Sequence, residues 1–389
     1  MREHCSNAFA QGFYIASESC YTNPMMSKPE LLAPAGSIQT LKAAVQAGAD
    51  AVYLGAGKFS ARAYAKNFHD GELAQAIEYT SAYGIKVYLA VNILMTDREL
   101  KEAVELVGCA YELGAAAFIV QDIGLSQMIK RNFPNAELHA STQMTAKTAD
   151  DVNVLEHLGF SRVVMARELS RAQLQEIARN VNIGLEVFVH GALCASYSGQ
   201  CLMSSFIGGR SANRGKCAQP CRLPYRMEGA AQARGTGRGV ERGTERGAGR
   251  GVERGTERGA GRGVERGTER GAGRGVERGT KRGAGRDGKE RDVKFAPLLS
   301  LKDLCLIDYV KELIEMGIVS LKIEGRMKGE DYVSATVKAY RAALDGKTPT
   351  AKEKERLLNV FNRGGYTDGY YTGNKNDMYM KTLKNPYKG

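Results

Sequence analysis

Eight short apolar runs alternating with amphipathic stretches constrain this 389-residue chain more than any other feature. The runs are Leu31–Ala35, Ala51–Leu54, Lys86–Asn92, Ala116–Gln121, Glu137–Ser141, Arg162–Ala166, Leu185–Val189 and Val319–Ile323. Helical spacing of apolar residues marks Ile38–Ala47, Glu72–Tyr83, Arg98–Leu113, Ser126–Arg131, Ala149–Leu158, Arg171–Asn180, Lys302–Met316 and Glu330–Leu344. Gly48, Gly84, Gly114 and Gly317 stand where helices should stop. Short buried strands alternating with helices predict parallel βα units. Eight of them predict a closed (β/α)8 TIM-like barrel of the α/β class, with count as the only argument against an open doubly wound sheet.

A barrel places its chemistry where strands end. The residues at or just past those ends are Tyr53, Asn92, Gln121, Asp122, Ser141, Gln143, Arg167, His190, Glu324 and Arg326. His190, Glu324 and Arg326, with Glu186 inside the seventh strand, are the candidate catalytic residues. A strand-end histidine serves as a base or as a hydrogen-bonding rim residue. Glu186 would point into the barrel, where a carboxylate needs a partner. Lys322 and Arg326 on the eighth strand are the candidates for that role, in catalysis or in a structural ion pair.

The seventh strand breaks at His190-Gly191 into a loop carrying Cys194, Cys201, Cys217 and Cys221. The loop is rich in glycine and arginine and poor in apolar residues, so converging thiolates would order it. Structural zinc favours close pairs, and the only one here is Cys217-Ala-Gln-Pro-Cys221. Wider spacing suits a cubane iron–sulfur cluster, and unliganded thiols remain a third reading. A Cys194 nucleophile with His190 as base lacks an orienting third group. No HExxH motif is present. Cys109 sits in a helical pattern and is expected to be buried.

An apolar share of 43% is ample for a core. No run of about eighteen apolar residues exists, so no membrane span is expected. Residues 1–28 lack the build of a secretory signal and read as a disordered leader, and unexported cysteines should be thiols or ligands in the cytoplasm. The net charge of +12 overstates the basicity of the folded part. Segment 234–291, with four copies of GVERGTERGAGR-type repeat from Gly239 to Arg286, holds +8 of it. Gly and charge with almost nothing apolar cannot offset chain entropy. Residues 229–293 are therefore read as a disordered RG-rich insertion, a linker or an RNA tether. It divides 29–228, with seven strands and the cysteine loop, from 294–345, the last βα unit. Residues 346–389, turn-rich with many tyrosines, would wrap one end of the barrel.

ELLAPAGS at Glu30–Ser37, AVYLGAGKFSAR at Ala51–Arg62, EVFVHGALCASYSGQCLMSS at Glu186–Ser205, the following CAQPCR, LLSLKDLCLID at Leu298–Asp308 and SLKIEGRMK at Ser320–Lys328 together resemble the collagenase-like peptidase family, the thirty-second of the unassigned-mechanism peptidases. The resemblance covers nearly all of 29–373 except the repeat. Despite its name, it implies an oxygen-independent RNA hydroxylase. The expected activity is 5-hydroxyuridine formation in transfer RNA with prephenate as a required metabolite. Cytidine hydroxylation in ribosomal RNA, a collagenase-like peptidase and a non-catalytic iron–sulfur accessory protein are the alternatives. It implies a 4Fe–4S cluster on Cys194, Cys201, Cys217 and Cys305, with Cys221 competing as fourth ligand. Relatives continue into a small β-rich domain after a segment like NDMYMKTLKNPYKG. With the sequence ending at Gly389, a partner protein would take that domain's place.

Overall fold

The computed structural model describes residues 28–57, 59–62, 67–225 and 296–380. The expected leader over 1–28, apart from Lys28, and the RG-rich insertion lie outside the described residues, as does the chain after Met380. Strands β1 (Glu30–Pro34), β2 (Ala51–Leu54), β3 (Lys86–Val91), β4 (Ala117–Val120), β5 (Leu138–Ala140), β6 (Arg162–Val164) and β7 (Gly184–Gly191) pair in parallel, each with the next. A short strand, β8 (Asp303–Cys305), lies outside that series, and β9 (Ser320–Ile323) closes it by pairing in parallel with both β7 and β1. The result is a closed eight-stranded parallel barrel with flanking helices, the (β/α)8 architecture that the strand count predicts.

The helices are α1 (Ile38–Gln46), α2 (Asp70–Ser81), α3 (Asp97–Glu112), α4 (Ile123–Asn132), α5 (Ala149–His157), α6 (Arg171–Arg179), α7 (Met203–Gly208), α8 (Val310–Glu315), α9 (Glu330–Leu344), α10 (Ala351–Val360) and α11 (Gly369–Thr372). Side-chain caps fix several starts. Ser37, Asp122, Thr148, Ser170 and Thr350 each accept a backbone N–H from the first turn. Apolar residues between strands and helices form the main core, where Leu31, Leu54, Leu89, Phe118, Leu138 and Val189 are fully buried.

The barrel interior is only half apolar. Leu32, Ala51, Tyr53, Tyr88, Ala90, Ala117 and Ile119 fill one side. Charged side chains meet across the other. Lys322 Nζ lies 2.7 Å from Glu186 Oε1, and Arg162 Nη1 lies 3.3 Å from Glu186 Oε2 and 2.7 Å from Glu30 Oε1. The Tyr88 hydroxyl donates to Glu30 Oε2 over 2.6 Å. Glu30 on β1 reaches β3 and β6, which are not its neighbours, so these contacts cross the interior.

Two expectations are corrected. The stretch Lys302–Met316 is not one helix: β8 pairs antiparallel with β7, matching His190 with Cys305 and Gly191 with Leu304, and α8 starts only at Val310. A second short strand, β10 (Tyr366–Thr367), pairs parallel with β8, so the C-terminal segment docks beside β7. Arg363 Nη1, 2.9 Å from Asp303 Oδ1, holds the same junction. Cys109 is exposed on α3 and not buried, because its neighbours Gly108 and Ala110 take the inward positions.

Candidate functional site

The barrel mouth gathers basic side chains around one carboxylate. Arg62 Nη2 stands 2.6 Å from Glu324 Oε1. Burial pushes the Glu324 carboxyl up, but Arg62 and then Arg167 overcome it and hold the group at about 2. Arg326, 5% exposed, donates from Nη1 to Ser60 Oγ over 2.6 Å, and burial lowers its guanidinium to about 10. The Arg167 guanidinium lies 3.9 Å from the centre of the Phe188 ring and donates to the Ala192 carbonyl. Lys328 is brought down to about 8 by burial and then by Arg363. Lys322 Nζ sits 4.5 Å from the Tyr53 ring centre, and the Tyr53 hydroxyl donates to the Ile323 carbonyl over 2.9 Å.

Amide side chains fix the loop that carries Arg62. Asn92 Oδ1 accepts from Ala61 N over 3.1 Å, and Asn92 Nδ2 donates to Ser141 Oγ over 3.0 Å. Gln143 Nε2 donates to the Asn92 carbonyl over 2.9 Å. Gly55 is required by close approach, since a Cβ there would lie 2.7 Å from Arg326 Nη1 and from Ser60 Oγ. Of the expected rim residues, Tyr53, Asn92, Gln121, Ser141, Gln143, Arg167, Glu324 and Arg326 stand at strand ends in this polar layer. Asp122 instead caps α4 and accepts from Met95 N.

His190 leaves the mouth. The pairing of β7 with β9 shifts between Phe188 and His190, a bulge that breaks the inward alternation. His190 then lies among the rings of Tyr332, Tyr340 and Tyr366, with centroids 5.9, 5.5 and 4.9 Å away. Burial alone depresses its imidazole to about 3, and Nε2 is buried with no partner. Gly191 ends the bulge at φ +104, where a Cβ would meet the Glu324 carbonyl at 2.7 Å. Behind the bulge the Tyr340 hydroxyl donates to the Val189 carbonyl over 2.7 Å and accepts from Leu306 N over 3.2 Å. Tyr340→Phe removes both bonds but leaves Leu306 N donating to the Val189 carbonyl over 2.9 Å, so it should cost only about 1 kcal/mol, read as a slightly lower urea midpoint. An unchanged midpoint would show that the hydroxyl holds nothing.

The cysteine loop is ordered by arginines that grip backbone carbonyls. Arg222 donates to the carbonyls of Leu193 and Leu301 and to Ser300 Oγ. Arg214 donates to the Leu94 carbonyl over 2.8 Å and pairs with Glu99 at 2.6 Å. Ser204 Oγ accepts from Ala218 N over 2.9 Å and ties α7 to the second pair of cysteines. Between that pair, Gln219 takes a left-handed backbone with φ 55, costly for a side chain without a tight constraint, and its N–H reaches Cys217 Sγ at 3.3 Å.

All six described cysteines are free. Burial raises the Cys221 thiol; Arg222 opposes this, and the thiols of Cys194, Cys217 and Cys201 each push it further up. Those three sulfurs are therefore within electrostatic reach of Cys221. Cys194 also acts electrostatically on Arg62. Cys305 is on β8, paired with His190. Its sulfur lies 3.8 Å from the Tyr340 hydroxyl, and burial, not another cysteine, is the main cause of its raised thiol. Among the described residues, no three His, Cys, Asp or Glu side chains form a group that could hold a metal ion. Glu186 lies in the interior ion pair with Lys322. Sequence reading missed Arg62 and Lys328, whose roles depend on partners far along the chain.

Residues 36–381 match the Peptidase family U32 model, and the chain belongs to that family. It is 34% identical to "tRNA hydroxylation protein P1" of Bacillus subtilis (strain 168), over 82% of this chain and 63% of that one. It is also 34% identical to "tRNA hydroxylation protein P" of Escherichia coli (strain K12), over 91% of this chain and 77% of the relative. The "23S rRNA 5-hydroxycytidine C2501 synthase" of the same organism is 33% identical over 81% of this chain and 39% of its own. The chain thus spans under two thirds of the Bacillus relative's length. No helix among the described residues is long and apolar enough to cross a membrane.

Proposed function

We propose that this chain is an RNA hydroxylase that forms 5-hydroxyuridine in transfer RNA, with a 4Fe–4S cluster on Cys194, Cys201, Cys217 and Cys221. The observation that carries the reading is that the strand leading to the arginine-lined barrel mouth runs on into a loop with four free cysteines, three of which act electrostatically on Cys221. The relatives named for RNA hydroxylation supply the reaction class, with ribosomal-RNA cytidine as the alternative target. A bound cluster would supply one-electron chemistry and cross-link the loop. Arg62, Arg167 and Arg326 make the mouth attractive to anions, whether RNA phosphate or the carboxylates of a co-substrate such as prephenate. Arg62 holds Glu324 ionised at neutral pH, so Glu324 can accept hydrogen bonds from a base or sugar but not donate a proton. Tyr53 and Phe188 line the wall with aromatic faces. The peptidase reading has less support, since His190 faces tyrosines behind β7 and not Cys194.

Deleting the gene should abolish 5-hydroxyuridine in total transfer RNA, read by mass spectrometry of nucleosides. The intact gene should restore it, and the Cys201→Ala gene should not. Unchanged modification in the deletion strain sinks the proposal.

A further inference from the structure

The cysteine loop carries a feature that cluster binding does not use. Phe206 on α7 is 86% exposed and Ile207 64%, with Leu202 and Leu223 also exposed. An aromatic ring that open on a short helix contributes almost nothing to a core. The helix is nonetheless fixed in place, since Ser204 is buried and bonded to Ala218. From Cys194 to Tyr225 the sequence has no Asp or Glu and four basic residues, Arg210, Arg214, Lys216 and Arg222. Arg214 and Arg222 are committed to Glu99 and to backbone carbonyls. Lys216 is exposed. Tyr197 is 40% exposed in the same loop, with Lys147 Nζ 5.1 Å from its ring centre. Gln200 ties that part of the loop to the rim through the Gln143 carbonyl and Thr145 Oγ1.

We propose that α7 and its flanks form a stacking platform for single-stranded RNA, with Phe206 as the face on which a base beside the reacting nucleotide rests and Lys216 as a phosphate contact. Exposed aromatics amid basic residues, in a segment whose own sequence carries no carboxylate, suit this partner. A second protein copy would be indifferent to the missing acidic residues. The platform begins two residues after Cys201, in the same loop that Gln200 ties to the rim. This inference rests on the proposed RNA substrate and adds where the flanking nucleotides are held.

The test is fluorescence anisotropy with a labelled, unmodified transfer RNA transcript and the full chain purified anaerobically. Phe206→Ala should weaken binding about tenfold, whereas Phe206→Trp keeps it. Lys216→Ala should weaken binding less and reduce the slope of log affinity against log salt by about one. Iron content and light-scattering mass should not change in any of the three. Equal affinity of Phe206→Ala and the parent overturns the platform, as does a parent that binds no RNA. A Phe206→Ala chain that changes oligomeric state also overturns it, by assigning the patch to a second copy. If the parent binds RNA through Phe206 yet the deletion strain keeps its modified nucleoside, the platform stands and the hydroxylase reading falls.

Discussion

Replacing Glu186 with alanine is expected to destabilise the protein by about 3–5 kcal/mol, the range for removing one partner of a buried ion pair. Glu186 is fully buried and Lys322 is 3% exposed, and no water path is needed to bring them together across adjacent strands. Burial pushes the carboxyl up, but Lys322 and then Arg162 more than cancel this and hold it below the usual range. The lysine shows the cost from its own side: burial lowers its ammonium even with Glu186 in contact. Alanine would leave that cation in the barrel with only aromatic faces and like charges near it. The double change Glu186→Met with Lys322→Met removes both charges at similar volume and should be far milder, within about 1–2 kcal/mol of the parent. Urea unfolding of the two variants checks the contrast. Equal losses in the single and double variants would mean that packing, not charge, is at stake.

The same pair sets a pH dependence. A carboxyl whose folded value is depressed contributes stability that is present above its ordinary range near 4.3 and lost as pH falls through the folded value. His190 acts in the same direction. The unfolded chain protonates this ring near 6.5, whereas the folded chain waits until about 3. Stability should therefore begin to fall below about pH 6.5 and fall faster once Glu186 titrates. The Glu186→Ala variant should keep the first part of that decline and show a shallower second part, to which Glu324, held at about 2, still contributes.

The barrel was legible because its signals are local and repeated. Each strand is a short apolar run, and α9 occupies the same residues that its helical spacing marks, Glu330–Leu344. What failed were places where one residue or one distant partner decides. In Val-Phe-Val-His-Gly nothing announces a bulge, yet that one-residue slip carries His190 from the mouth into a tyrosine cage. Asp303-Leu304-Cys305 fits helical spacing as well as strand spacing. Its partners are β7, more than a hundred residues earlier, and Tyr366–Thr367, about sixty later, so only tertiary pairing reveals the strand. Arg62 stood in a recognisable stretch, but its function as the counter-ion of Glu324 spans 262 positions. Glu186 was readable as a buried carboxylate in need of a cation, and Lys322 is that cation. Its depth in the barrel, and with it the structural character of the pair, is a matter of layers that sequence does not print.

The largest effect on the proposed chemistry should come from Cys221 and not from Cys305. Sequence leaves the two in competition as fourth cluster ligand, and the proposal made above takes Cys221. Cys221 senses the thiols of Cys194, Cys201 and Cys217, and Arg222 beside it braces the loop to Leu193 and Leu301. Cys305 lies on the antiparallel β7–β8 edge, its sulfur against Tyr340, in the layer that also holds His190. To reach the loop it would have to give up that contact and turn a residue paired with His190, in a strand whose preceding residues are also held by β10. Cys221→Ser, purified anaerobically, should lose the visible absorption of thiolate-bound iron and most of its roughly four irons per chain, and with them 5-hydroxyuridine formation. Cys305→Ser should keep both and lose only a modest amount of stability. A hydroxyl is close to a thiol in volume, so circular dichroism of Cys221→Ser should match the parent apart from the loop. Iron retained in Cys221→Ser and lost in Cys305→Ser would reverse the assignment. It would require β8 to move when the cluster is inserted, with release of the Tyr340 contact as the visible consequence.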